Sequence, residues 1–225
     1  MKRLTSLVLV VGALAAPEAR GQATADQVAP INEEDVLIAI RDNYPQPLWD
    51  IRASGHPVLL VRYDAEGVVD DVKIVEAGGH RLFAEAAMKV AEVMRFEPVV
   101  IDGRAQGGEA TVPVDFVTPL PPELANLRVC ESPPTIVNRN EIAEALRQFY
   151  PRVLADAGVG GRVSLLFKID SQGMVWSIEV EQASEYLELD EAALAVGAFM
   201  RFSPGTEDGV PTPSLLRQPV TFGVR

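Results

Sequence analysis

Cysteine and histidine are scarce in this sequence. The single cysteine, Cys130, cannot form a disulfide within the chain, and a four-cysteine zinc site is excluded. The only histidines are His56 and His80, and neither has the HExxH spacing of a zinc enzyme. We interpret both as structural histidines, His56 in a loop and His80 in a turn. No metal and no cofactor is expected.

Basic residues are also in the minority. The 225 residues include 20 Lys and Arg against 32 Asp and Glu, which gives a formal net charge of -12. An acidic surface repels phosphate backbones, so nucleic acid is not expected as a partner. No GxSxG nucleophile elbow occurs either. We therefore expect neither an enzyme nor a small-molecule substrate.

Long apolar runs are absent except near the N-terminus. There, two basic residues precede an almost wholly apolar stretch, residues 4–16, and small residues follow it. This order predicts a signal peptide over residues 1–23, cleaved after Ala23 or, as a second choice, after Ala15. The mature protein would then be periplasmic. The alternative is an uncleaved anchor in the inner membrane, although a spanning helix needs about 20 apolar residues.

What the sequence does contain is an internal duplication. Residues 31–119 align without a gap with residues 137–225, and close to a third of the aligned positions are identical. Chance would give about one match in fifteen. Between the copies, residues 120–136 form a proline-rich linker with some apolar residues. The sequence therefore predicts two small domains, with docking of one on the other left open.

Each copy shows the same order of predicted elements: helix, strand, strand, helix, strand. This is an α+β arrangement in which a small antiparallel or mixed sheet packs on helices. The alternation of apolar residues and the Gly, Pro, Asn and Asp positions set the bounds. In the first copy these elements cover residues 33–43, 57–63, 68–76, 82–94 and 110–117. In the second copy they cover residues 138–150 with a further turn to 157, then 162–169, 175–180, 189–200 and 215–224.

The motifs of the second copy resemble the C-terminal domain of TonB-family proteins. They are Tyr150-Pro151, Gly160-Gly161, Phe167-x-Ile169-Asp170-x-x-Gly173, Leu189-Asp190-x-Ala192-Ala193, Arg201-Phe202-x-Pro204, Asp208-Gly209 and Pro219-Val220-x-Phe222. The first copy is similar but more divergent: it keeps Arg95-Phe96-x-Pro98 and has Phe83-Ala84 in place of Leu189-Asp190.

This resemblance implies that the protein binds an extended peptide of an outer-membrane or other envelope protein by β-strand addition, a role linked to TonB-dependent transport. The last strand would be the binding edge. Pro219 independently favours an edge, because proline cannot donate to a neighbouring strand. The expected site residues are Leu215, Leu216, Arg217, Gln218, Val220, Thr221, Phe222 and Gly223.

Other interpretations stay open at this point. The edge could merely be blunted by Pro219 and Arg217 against aggregation, or it could be buried by the first copy. An energy transducer of the TonB type would need the uncleaved anchor and a long stalk, and only a short segment precedes the first copy. A homodimer is a further option, and an exported Cys130 could cross-link two chains.

Several single residues have structural explanations. Asp64 and Asp170 precede Gly67 and Gly173 in equivalent turns, where turn chemistry explains them better than calcium binding. Arg95 and its counterpart Arg201 are expected to form structural ion pairs. Trp49 and Trp176 have no evident stacking partner, and the sequence leaves open whether Trp176 lies in the core or at a contact surface.

Overall fold

The computed structural model describes residues 29–124 and 127–223. The predicted signal peptide, residues 1–23, lies outside them, and so does the choice between cleavage and anchoring. Across the residues that are described, no helix has both the length and the hydropathy to cross a bilayer.

The first copy folds into a helical layer packed on a small sheet. Its elements in chain order are α1 (Glu33–Asp42), α2 (Gln46–Asp50), β1 (Ala53–Ser54), β2 (Val58–Tyr63), β3 (Val69–Glu76), α3 (Arg81–Ala91), β4 (Val99–Ile101), β5 (Arg104–Gln106) and β6 (Gly108–Pro113). The sheet is antiparallel with the order β3-β2-β6. Phe83 and Val90 of α3 are fully buried against it.

The second copy repeats this arrangement after a 3-10 turn at Pro122–Leu124. Its elements are α4 (Arg139–Phe149), α5 (Arg152–Asp156), β7 (Gly161–Ile169), β8 (Val175–Gln182), α6 (Leu187–Ala198), β9 (Gly205–Glu207), β10 (Val210–Thr212) and β11 (Ser214–Phe222). The predicted α+β class and the order helix, strand, strand, helix, strand are thereby confirmed for both copies.

The alternation predicted for β7 sets the face that carries the core. Val163, Leu165, Phe167 and Ile169 are all 0% exposed, whereas the residues between them are partly exposed. Period-two alternation turns one face of a strand toward the helices and the other toward solvent. β11 follows β7 over its full length without a register shift, so that Val220 and Phe222 join the same core.

The two hairpin turns confirm their sequence interpretation. One carboxylate oxygen of Asp64 accepts from the amides of Glu66 and Val68, and Asp170 does the same for Gln172 and Met174. Gly173 closes its turn at φ 86°, and a Cβ there would lie 2.3 Å from the carbonyl oxygen of Phe202. Only glycine combines this backbone angle with so close an approach.

An asparagine at the start of the first long helix of each copy ties that helix to the loop after the second long helix. The side chain of Asn138 donates to the carbonyl of Phe199 and accepts from the amide of Arg201. Asn32 makes the equivalent pair of bonds in the first copy. Asn138 occupies the N-cap position of α4, but its side chain makes no capping bond there. It instead satisfies backbone groups in the loop that follows α6.

Two short hairpins were not predicted from the sequence. Asp102-Gly103 closes the hairpin β4-β5, and Asp208-Gly209 closes the hairpin β9-β10. Their strands have three residues each, too few to show an alternating pattern. The last strands also end earlier than predicted, at Pro113 and Phe222.

The linker packs against the second copy. Ser132 pairs with Thr206 and Ile136 with Phe202, while Arg128 pairs with Ser214 at the start of β11. Cys130 is 5% exposed, and its sulfur lies 4.0 Å from the carbonyl oxygen of Thr212. This burial argues against the cross-link between two chains.

Candidate functional site: two opposite edges of one sheet

The predicted binding strand lies at the edge of a sheet. The order of the larger sheet is β1-β8-β7-β11, so β11 pairs with β7 on one side only. Seven of the expected site residues belong to β11, and Gly223 follows it directly. Among the residues described, the linker touches the open side of β11 only at its first two residues. Within the described ranges, no strand of the first copy pairs with this edge.

The backbone of β11 offers a short and interrupted row of free groups. The amide of Leu215 donates to the carbonyl of Arg128, which shows that this residue turns its polar groups away from β7. Because alternate residues of a strand point the same way, Arg217, Pro219 and Thr221 also face outward. Pro219 has no N–H, and its carbonyl already accepts from the side chain of Gln218. The amides of Arg217 and Thr221 are therefore the outward donors left within the strand.

The side chains of β11 divide between two faces. Val220 and Phe222 are 3% exposed on the helical side, where the ring of Phe222 lies 5.4 Å from that of Tyr150. On the other face, Arg217 contacts both carboxylate oxygens of Glu181 at 2.7 and 2.9 Å. This pair spans the sheet and fixes the Arg217 side chain beside the edge. The strand is thus anchored by its core residues while its outer row stays accessible.

The opposite edge of the same sheet is occupied by the first copy. Strand β1 pairs in parallel with β8, Ala53 opposite Ile178 and Ser54 opposite Glu179. The amide of Ile178 donates to the carbonyl of Arg52, and the hydroxyls of Ser54 and Ser177 lie 2.9 Å apart. The two copies therefore dock by adding a strand of one to the sheet of the other.

Both charged and aromatic side chains extend this interface. The guanidinium of Arg52 lies over the Trp176 ring at 4.6 Å and also donates to the carbonyl of Val175. The Trp176 indole N–H in turn donates to Asp170. Trp176 is therefore a contact residue between the copies. A cation over an aromatic ring contributes about 0.5–2 kcal/mol.

His56 bridges the copies with its charge. Its Nδ1 lies 2.8 Å from Asp115 of its own domain, and its Nε2 lies 3.7 Å from Glu179 of the second copy. Hydrogen bonding raises the pKa of His56 to about 9, with Asp115 as the larger cause and Glu179 as the smaller one. Lys168 also contacts Glu179, at 3.5 Å. His56 lies in a loop, as its sequence interpretation has it, but its ion pairs were not predicted because their partners are distant along the chain.

His80 serves helix α3 at the same interface. Its Nδ1 accepts from the amide of Leu82, which makes it the N-cap of the helix. Burial lowers the pKa of His80, so the neutral ring that can accept this bond is favoured. The next residue, Arg81, gives its amide and its guanidinium to Glu191 of the second copy, at 3.0 and 2.7 Å. Gly79 beside them packs directly on Val180.

The prediction that Arg95 forms a structural ion pair was wrong. Its guanidinium donates to the backbone carbonyls of Glu92 and Met94, which extends the end of α3. Across the described part of the chain, neither Arg95 nor Arg201 has a carboxylate partner. In that same part, no three His, Cys, Asp or Glu side chains cluster closely enough to hold a metal ion.

Comparison with known proteins agrees with this geometry. The family described as Gram-negative bacterial TonB protein C-terminal matches residues 41–118 and again residues 147–224, together more than half of the chain. Two curated relatives, both called Protein TonB and from two strains of Xanthomonas campestris pv. campestris, are 33% identical over 75 residues. The aligned part is 33% of this chain and 34% of each relative, so the chain matches about a third of their length. No solved structure matches.

Proposed function

Because the chain belongs to the TonB C-terminal domain family, we propose that it is a periplasmic interaction protein whose second copy binds an extended peptide of an envelope or outer-membrane protein along β11. This family comprises envelope interaction and energy-transducing proteins rather than enzymes. Its members interact with outer-membrane proteins, which agrees with a role in transmembrane transport.

The observation that carries the proposal is the difference between the two edges of one sheet. The β8 edge is filled by a strand from the first copy, whereas β11 faces outward with free amides at Arg217 and Thr221. Backbone pairing to an open edge supplies affinity without requiring a particular peptide sequence. The first copy thus closes one edge, and a peptide would be directed to the other.

Proline substitution on the outer row tests this pairing. Thr221→Pro removes one of the two free outward donors and leaves the bonds to β7 intact, since Thr221 turns away from β7. Loss of one ladder bond costs about 1 kcal/mol, or about fivefold in affinity. Thr221→Val keeps the N–H and the shape of the side chain, so its affinity should stay within about twofold of wild type.

The measurement is an NMR titration of the full chain with synthetic peptides from periplasmic segments of the host's outer-membrane receptors. Amide shifts along residues 215–223 that saturate in wild type and in the valine variant, and weaken in the proline variant, support the proposal. Binding that leaves those amides unmoved, or that is equal in all three proteins, contradicts it.

The similarity to Protein TonB favours one alternative, an energy transducer anchored in the inner membrane by a retained N-terminal segment. N-terminal sequencing of the protein recovered from the host envelope separates the two. A chain that begins at Thr24 excludes anchoring, whereas an intact N-terminus in the membrane fraction supports it.

A further inference from the structure

Strand β3 forms one edge of the sheet in the first copy, and among the described residues no strand pairs with its outer side. Its counterpart in the second copy is β8, which accepts β1 on the equivalent side. The two strands keep the same register on their inner neighbours: Val61 lies opposite Val72 as Phe167 lies opposite Ile178. The edge that pairs with another strand in the second copy is therefore also present in the first.

The backbone of β3 is suited to such pairing. The amide of Ile178 donates to the carbonyl of Arg52 and so points away from β7. Val72 holds the equivalent position, and alternate residues of a strand point the same way, so Val72 and Ile74 both direct their N–H and C=O groups outward. No proline interrupts the strand between Val69 and Glu76.

Apolar side chains are exposed along the same edge. Ile74 is 44% exposed, and Val75 is 57% exposed. In the second copy, the counterpart of Ile74 is Val180, which is partly buried because Gly79 of the first copy packs on it. Edge strands of soluble proteins usually carry charged residues, so exposed aliphatic residues there mark a contact surface. The β3 edge therefore has the character of a contact surface.

The charges of β3 determine which partner fits this edge. Asp71 and Lys73 lie on the face of the sheet opposite to that of Val72, whose cross-strand neighbour is in the core. Within the described ranges neither of them forms an ion pair. When two such strands run antiparallel, each aspartate can lie opposite the lysine of the other strand. A second molecule of this chain therefore offers the complementary edge.

A two-fold axis through Val72, Lys73 or Ile74 would bring the outward groups of β3 against those of a second β3. An axis at Val72 places Asp71 opposite the partner's Lys73, and the symmetry repeats this pair. An axis at Lys73 places two lysines opposite each other, which is unfavourable. An axis at Ile74 places Lys73 opposite the partner's Val75 and leaves both charges unpaired. The charges thus select the axis at Val72.

We propose that the β3 edge binds β3 of a second molecule in antiparallel pairing about a two-fold axis at Val72, which joins the two sheets into one. On the face that packs on the helices, Val72 lies opposite the partner's Val72, and each Ile74 lies diagonal to it, within reach of contact. Such a two-fold interface uses the same surface of both subunits. The proposal concerns the first copy and does not rest on peptide binding at β11.

Sedimentation equilibrium of the full chain without peptide tests the pairing. One pair of short strands buries less area than a standard interface, so we expect a reversible dimer with a dissociation constant of about 10–300 µM. A chain that stays monomeric up to about 1 mM would overturn the proposal, whatever the peptide titration shows for β11.

Charge reversal tests the register. Asp71→Lys and Lys73→Asp each replace two opposite-charge pairs with two like-charge pairs, so each should weaken the dimer at least about tenfold. The double variant restores the pairs and should return the dissociation constant to within about threefold of wild type. General repulsion between acidic molecules would instead make Asp71→Lys strengthen the dimer, which would contradict the proposal. Lys89→Asp, on the exposed side of α3, is the control and should change the constant by less than about twofold.

Engineered cysteines in a Cys130→Ser background locate the axis. Val72→Cys places two Cα atoms about 5.5 Å apart across the axis, within disulfide range, so mild oxidation should cross-link it. Ile74→Cys separates the two Cα atoms by more than about 13 Å and should stay uncross-linked. Cross-linking of Ile74→Cys rather than Val72→Cys, or of neither, would be evidence against the axis at Val72.

Discussion

Glu191→Ala is the sharpest perturbation of the docked pair of copies. Glu191 accepts two bonds from the first copy, one from the Arg81 amide and one from the Arg81 guanidinium. The amide belongs to the first turn of α3, whose N–H groups have no partner within the helix. Removing the carboxylate leaves that donor without its charged acceptor.

The magnitude follows from the exposure of each partner. A hydrogen bond to a charged acceptor contributes about 1.5–3 kcal/mol. The Arg81 side chain is 65% exposed, so its ion pair counts as a surface contact of about 0.5 kcal/mol. Glu191→Ala should therefore weaken docking by about 2–3 kcal/mol, roughly 30- to 150-fold in the docking equilibrium. Arg81→Ala keeps the amide and should cost only about 0.5 kcal/mol.

The duplication supplies the matched control, Glu85→Ala. It makes the same change at the same helical position in the first copy, where the described residues form no ion pair between this side chain and the other copy. Trp176 lies beneath Arg52 at the interface and reports docking by its fluorescence. In urea, the fluorescence transition of Glu191→Ala should move to lower denaturant, with little change in Glu85→Ala. Equal shifts in Glu191→Ala and Glu85→Ala would refute the reasoning.

Three further predictions follow from the same contacts. The pKa of His56 is raised to about 9, so its contribution to folding stability is complete below about pH 6.5 and is lost as pH rises through 9. Unfolding free energies measured from pH 6 to 10 should therefore fall with pH in wild type, and this fall should be absent in His56→Asn. The pKa of His80 is lowered, so its contribution to folding stability is present above about pH 6.5 and is lost as pH falls through its folded pKa. His80→Asn keeps a capping side chain, so it should reduce the loss of unfolding free energy at acid pH. An equal loss at acid pH in the variant and in wild type would be contrary evidence. Gly173→Ala should destabilise by about 2–4 kcal/mol in thermal unfolding, because it adds a clash with the Phe202 carbonyl to the strain of φ 86°. Gly209→Ala, at φ 77° with nothing within 4 Å, should cost only about 1 kcal/mol, and equal losses would speak against the clash.

The repeated fold was predictable because its signals are local. The alternation of Val163, Leu165, Phe167 and Ile169 sets β7 within one segment, and Asp170 with Gly173 sets the turn that follows. Pro219 likewise indicates by itself that its strand lies at an edge. Such features depend on the neighbours of a residue along the chain.

The interface between the copies was not predictable for the opposite reason. Strand β1 has two residues, and its partner β8 lies more than a hundred positions away. His56 and Trp176 take their roles from Glu179 and Arg52, which belong to the other copy in each case. One signal was available: Arg52 and Trp176 are not repeated, since their counterparts are Gly158 and Asp70. Divergence at equivalent positions of a duplication can mark where the copies meet.

Covalent connection changes how strong the contact between the copies needs to be. A partner held on the same chain by a short linker is present at an effective concentration of about a millimolar. A contact with a dissociation constant of about 0.1 mM, negligible between separate molecules in a cell, would then be about 90% formed. A contact of that strength needs few interactions. The interface between the copies has two residues of parallel pairing, one arginine stacked on a tryptophan and a few ion pairs. If the two copies were expressed as separate polypeptides, their complex would be largely dissociated.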